Sequence, residues 1–343
     1  MINLSSDTQT KPTAEMRATM MNAEVGDEQA GTDPTVNALL EKTADLLGKE
    51  AALFLPTGTM CNLVAVKTHT RPGQTILVDH LAHVLRMETG GAALASGVIV
   101  ETLPSEFGQF TAQAVKDALW PRSNYSPPAT LLCVEQTHNF GGGSVWTLEE
   151  LTAVSETARD LEMAVHMDGA RLMNAVVASG NSAADFSAVC DTVWLDFTKG
   201  LGAPIGAVLA GTADFINRAR RYKHMFGGAM RQAGIAAAGC IYALDHHVDR
   251  LAEDHANMQL LAGGLRQVPG LIVPDRVDTN ILFFEVAAEG MDAALFEAAM
   301  REYDVQMVRL GERLRMVTHL DVSQQEIAEA VAAAGEVMAL AAV

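Results

Sequence analysis

The sequence predicts an α/β fold on a mostly parallel sheet. Short apolar runs rich in β-branched residues alternate with amphipathic stretches, as in strand-helix-strand units. At 343 residues the chain is also longer than one core usually fills, so a large domain and a smaller one are expected.

Seven segments read as strands: 51–55 (AALFL), 75–78 (TILV), 97–103 (GVIVETL), 129–135 (ATLLCVE), 163–168 (MAVHMD), 192–197 (TVWLDF) and 206–211 (GAVLAG). Between them, 147–161 carries helical periodicity and opens on Thr147 with Glu149 and Glu150 in its first turn. From 212 to 267 the pattern is mainly helical. A strand within TNILFFEV, a helix near 291–303, the run LRMVTH and a final alanine-rich helix complete an α+β tail. The expected division is residues 1–250, including the N-terminal segment, and residues 251–343.

Charge narrows the function. With 42 acidic against 24 basic residues the formal net charge is −18, which argues against a surface that gathers phosphate backbones or anionic lipid. Nucleic acid and membrane partners are not expected. The four cysteines (Cys61, Cys133, Cys190, Cys240) lack metal-knuckle spacing and sit among apolar residues, which predicts reduced thiols and a cytoplasmic protein without a metal site. No run of 18 uncharged apolar residues occurs, and the N-terminus lacks a leader pattern.

Chemistry is sought at strand ends, where open α/β sheets place ligands. Of seven lysines only Lys199, in DTVWLDFTKGLGAP, leaves a buried-looking strand at its C-terminal end. It is either a lysine snorkelling to solvent or an amine held in a dry cleft to attack a carbonyl. Asp168, in MAVHMDGARL, ends the preceding strand, either capping a helix or partnering a protonated ring nitrogen. Gly169 beside it permits close approach. Arg171 is either salt-bridged on its helix or a fork for a substrate carboxylate. In LFLPTGTMCN, Thr57, Gly58 and Thr59 lead into a helix whose first N–H groups suit a phosphate, or simply cap it. The absence of G-x-G-x-x-G and G-K-[ST] disfavours a dinucleotide fold or a P-loop. His83 follows a strand and is either an ordinary histidine or a plane stacked on a cofactor.

Taken together, LSSDTQTKPT, VGDEQAGTDPTVN, GKEAALFLPTGTMCN, EQTHNFGGG, HMDGARLMNA, TKGLGAPIG, GGAMRQAG and RMVTHLDVS resemble the threonine aldolases across nearly the whole chain. The resemblance implies pyridoxal 5'-phosphate as cofactor and the aspartate aminotransferase-like fold type I. It implies Lys199 as the Schiff-base lysine, Asp168 as partner of the ring nitrogen, and His83 as the stacked residue and first candidate for the base. Gly58 and Thr59 match the phosphate seat, and Arg231 the arginine lent to the phosphate by a neighbouring subunit. Ser6, Arg171 and Arg315 match the group holding the substrate α-carboxylate. A shared site implies a homo-oligomer, a dimer or tetramer. The reaction implied is cleavage of L-threonine, allo-threonine and related β-hydroxy-α-amino acids to glycine and an aldehyde, with β-elimination or dehydration as the alternative. The chain departs from the family pattern at Ser5, Ala30, Tyr125, Asp196 and His224. Of these, Ala30 and Tyr125 match positions that face the β-substituent, where a small residue leaves room for a bulkier side chain.

Overall fold

The computed structural model describes residues 1–341 and is α/β, with a large seven-stranded sheet and a small C-terminal domain. The sheet strands are β1 (Ala51–Leu55), β2 (Thr75–Asp79), β3 (Ile99–Leu103), β4 (Ala129–Glu135), β5 (Ala164–Gly169), β6 (Thr192–Asp196) and β7 (Ala207–Gly211). Their spatial order is β1-β7-β6-β5-β4-β2-β3. All pairings are parallel except those of β7, which runs antiparallel to both β1 and β6. The seven expected strands are all present, each displaced by two residues at most.

Strands β2, β6 and β7 are buried along their whole length because helices cover both faces, which is why they read as continuous apolar runs. The expected helix after β4 is Leu148–Asp160, and Thr147 and Glu150 form its capping box. One core joins Phe54, Leu77, Val134, Val165, Leu195 and the edge-on pair Phe110 and Trp146, 5.1 Å apart.

The C-terminal part has its own core, including Leu261, Phe284, Phe296, Leu314 and Met316. Its sheet comprises β8 (Leu271–Ile272), β9 (Ile281–Val286), β10 (Val308–Leu310) and β11 (Arg313–Val317), in the order β10-β11-β9-β8 and wholly antiparallel. The two shortest of these strands carry too few residues to show a period. The chain's start differs from the expected grouping with residues 1–250. Ile2–Asn3 pairs parallel with Val305–Gln306, and Ile2 and Leu4 pack into the C-terminal core. No helix among the described residues is long and apolar enough to cross a membrane.

Candidate active site

Three adjacent parallel strands end in acids at one sheet edge: Glu135 on β4, Asp168 on β5 and Asp196 on β6, with Glu135 and Asp168 in register. A cleft of about 560 Å³ opens there, lined by Gly58, Thr59, His83, Glu88, Glu135, Arg171, Trp194 and Lys199, among others. Lys199 therefore stands where the strand pattern places it. Its Nζ donates to Asp196 Oδ2 at 2.6 Å and lies 5.6 Å from the centre of the Trp194 ring. Thr10, from the N-terminal segment, donates its hydroxyl to the Lys199 carbonyl at 2.8 Å, holding the bend after β6.

Asp168 is buried and has no cationic side chain bonded to it among the described residues. Its Oδ2 accepts from Asn62 at 2.8 Å and its Oδ1 from the Ala170 N–H at 3.0 Å. Burial and then the nearby charge of Glu135 push its carboxyl up to about 7. Such a group favours an arriving cation, which would hold it ionised. Gly169 is required because a Cβ there would stand 2.0 Å from the Trp194 carbonyl oxygen.

The helix Gly58–His69 points its N-terminus at the cleft. Thr57 caps it by accepting from the Met60 N–H at 3.2 Å, leaving the first N–H groups without intrahelical partners. Gly58 packs so closely on Trp194 that a Cβ would fall 2.3 Å from the indole ring. These are the terms of an anion seat: free N–H groups, the positive helix end, and backbone that an oxyanion can approach.

His83 opens a short helix, its N–H donating to Glu135 Oε2 at 2.9 Å and its Nδ1 lying 2.9 Å from Glu88 Oε1. Burial pulls its titration down, but the Glu88 hydrogen bond and the charges of Asp168 and Glu135 outweigh that and raise it. Arg171 is salt-bridged. Its Nε and Nη2 meet the buried Asp7 carboxylate at 2.8 and 2.7 Å. Burial opposes ionisation of Asp7, yet the Arg171 charge holds its carboxyl well below the usual range. Arg315 bonds only neutral acceptors, Asn139 Oδ1 at 3.1 Å and the Ser5 carbonyl at 3.0 Å. Its Nε is buried without a partner among the described residues. Burial and then the neighbouring Arg171 lower it to about 10, with Asp7 opposing them more weakly.

Four of the expected positions lie outside the lining of this chain's cleft, Arg231 in keeping with its expected service to a neighbouring subunit. Ser6 caps the turn Asp7–Gln9 by accepting from Thr8 and does not line the cleft. Arg231 is largely exposed and donates to Asp27 Oδ2 at 2.9 Å, away from the phosphate seat of its own chain. Tyr125 is 97% exposed beside a separate cavity of about 890 Å³ at the opposite sheet edge. Its loop feeds β4 from the N-terminal end and so cannot reach the C-terminal edge within one chain. Ala30 sits on an exposed turn whose N–H meets Asp27, outside the cleft lining.

Asp7, Asn62, Glu88, Glu135 and Asn139 were not singled out from the sequence. Glu135 offered the same signal as Asp168, an acid ending an apolar strand. Asn62 lies within a helix and Glu88 in the bend between two short ones, and only the packing brings them to the cleft. Lys49, just after the helix Pro34–Leu47, is half-buried and ties down the carbonyls of Ser187 and Cys190 at 2.9 and 2.6 Å.

Behind the cleft, His166 and His69 are held neutral, burial lowering them to about 3 and about 4. In the unfolded chain each takes a proton near pH 6.5, while the folded state refuses it until well below. Stability from these groups is therefore complete above about 6.5 and declines as pH falls toward about 4. The melting temperature is expected to drop less steeply between about pH 6.5 and 4 in His69→Gln than in the unaltered chain.

The family profile described as beta-eliminating lyase matches residues 3–289. The low specificity L-threonine aldolase of Escherichia coli (strain K12) is 42% identical, over 97% of this chain and 98% of its own length. Among solved structures, threonine aldolase of Leishmania major superposes with a TM-score of 0.85 at 21% identity, over 98% of this chain and 100% of that one. A structure described as SPT with PLP superposes with a TM-score of 0.79 at 16% identity, over 100% of this chain and 88% of that one. By this match and these relatives, the chain belongs to the beta-eliminating lyase family, in the threonine aldolase group.

Proposed function

We propose that the protein is a carbon-carbon lyase that cleaves L-threonine, L-allo-threonine and related β-hydroxy-α-amino acids to glycine and an aldehyde, with pyridoxal 5'-phosphate as cofactor. One observation carries the reading: a buried aspartate without a cationic partner, a strand-end lysine and an open helix N-terminus line or border one cleft. When bound there, the cofactor supplies an electron sink for the pair released as Cα–Cβ breaks.

The chain's own residues supply the rest. The Gly58 and Thr59 N–H groups hold a phosphate at the helix end. Lys199 Nζ provides the covalent anchor, and Asp196, 2.6 Å away, accepts a proton from it. Asp168 holds a proton on the ring nitrogen by supplying the opposing charge. Arg315 grips the α-carboxylate, because no carboxylate among the described residues bonds its guanidinium. Arg171, locked to Asp7, shapes that pocket and adds positive potential. Fixing the carboxylate orients the bond to be broken, which is where positioning speeds the reaction. His83 takes the proton of the β-hydroxyl at Nε2, directly or through water.

Arg315→Lys is expected to raise the KM for threonine about tenfold or more, since a point charge replaces a fork, with the cofactor still retained. We also propose that the protein works in the cytoplasm as a homo-oligomer in which Arg231 of one copy serves the phosphate of another. Its exposed position suits that role. We place the domain division at residue 250, immediately before the helix Leu251–Leu265.

The test is product analysis with threonine, allo-threonine and phenylserine as substrates. Glycine plus the matching aldehyde is expected. A keto acid plus ammonia would instead identify β-elimination.

A further inference from the structure

Asn62 reveals the proton positions around it. Buried on the helix Gly58–His69, its Nδ2 donates to Glu88 Oε1 at 2.7 Å and to Asp168 Oδ2 at 2.8 Å. Its Oδ1 accepts from Trp194 Nε1 at 2.8 Å and lies 3.1 Å from His166 Nε2. An indole N–H only donates, so the amide oxygen must face Trp194 and the amide hydrogens must face the two carboxyl groups. His166 then carries its hydrogen on Nε2. Its Nδ1 accepts from Thr192 Oγ1 at 2.8 Å, and Thr192 Oγ1 accepts in turn from His69 Nε2 at 2.8 Å. The whole line has one polarity and ends by donating into Glu88 and Asp168.

The same Glu88 oxygen lies 2.9 Å from His83 Nδ1. With Glu88 Oε1 accepting from Asn62, the hydrogen of that second contact belongs to His83 Nδ1. The opposite ring nitrogen, Nε2, has no protein partner among the described residues, and His83 lines the cleft. We propose that Glu88, held by Asn62, is a positioning residue that fixes His83 in the tautomer protonated at Nδ1 and keeps Nε2 as the proton acceptor of the cleft. The functional half of this rests on the reading of His83 as the group that takes the hydroxyl proton.

Other groups around His83 are Glu135 from β4, Asp168 from β5, and Asp196, Lys199 and Arg171 along the cleft. The thiols of Cys61 and Cys133 are pushed up strongly by burial and add no charge. Among the carboxylates of the described residues only Glu88 bonds the His83 ring. Its loss therefore changes both the ring's charge preference and its tautomer.

Glu88→Gln and Glu88→Ala separate the two effects. Asn62 requires an acceptor, so the glutamine variant keeps its carbonyl oxygen toward Asn62 and His83 and loses only the charge. The alanine variant loses both. Side-chain ¹⁵N NMR of the cofactor-free protein reads the tautomer and titration of His83 directly. The unaltered chain is expected to show Nδ1 protonated. Glu88→Gln should keep that tautomer with its titration midpoint lowered by about one unit or more, and Glu88→Ala should populate both tautomers. In the loaded enzyme, the acidic limb of the kcat/KM profile should move to lower pH in Glu88→Gln. There kcat should fall about tenfold while KM stays within about threefold. Glu88→Asp restores the charge and should recover most of the midpoint, which keeps the test usable if the glutamine variant does not fold. An Nε2-protonated His83 in the unaltered chain, or an unmoved midpoint in Glu88→Gln, overturns the proposal. The NMR needs neither substrate nor cofactor, so its outcome does not depend on whether threonine is cleaved.

Discussion

Lys199→Ala is expected to reduce threonine turnover by about four orders of magnitude or more, the largest effect of any single substitution in the chain. Nucleophilic anchoring splits a difficult step into easier ones, and no second amine is placed to replace it. Lys223, the nearest lysine in sequence, is buried against Glu28 and does not line the cleft. The fold should survive. The lysine side chain is partly exposed, and its removal frees Asp196, which keeps hydrogen bonds from the Thr198 hydroxyl and N–H at 2.9 and 3.2 Å. Steady-state rates together with a melting curve check this. Residual turnover within about tenfold of the unaltered enzyme would contradict the assigned role.

The second large effect is at Asp168. Asp168→Ala should lower kcat about a thousandfold, or roughly 4 kcal/mol at about 1.36 kcal/mol per decade. An electron sink works only while its nitrogen stays protonated, and Asp168, near the end of β5, has no cation bonded to it among the described residues. The neighbouring acids do not substitute for it: Glu135 accepts the N–H groups of His83 and Asn139, and Asp196 is engaged by Lys199. Covalent attachment at Lys199 should persist in this variant, so its rate loss and its cofactor content are expected to separate. A variant that lost cofactor entirely, or kept most of its rate, would count against a role specific to the ring.

Most of the sheet was legible because its strands are short, apolar and bounded by turn residues, so period and length agree. The positions of Lys199 and Asp168 followed from the same pattern, since each closes an apolar strand at its C-terminal end. Pairing partners were not legible. Nothing in the local sequence distinguishes an Arg171 that grips substrate from one bonded to Asp7, because the choice depends on a residue 164 positions away. Tyr125 does not reach the cleft within one chain, because its loop enters β4 from the opposite end of the strand. Asn62 lies in a helical stretch and Glu88 in a polar bend, where an amide and an acid ordinarily face water, and only tertiary packing turns them inward.

The central claim is that one amine, Lys199 Nζ, holds the cofactor at the edge of β6. Borohydride reduction of the protein loaded with pyridoxal 5'-phosphate, followed by peptide mass spectrometry, tests this directly. A stable adduct confined to Lys199 is the predicted result. An adduct on another lysine with Lys199 unmodified, or no adduct at all, would contradict it.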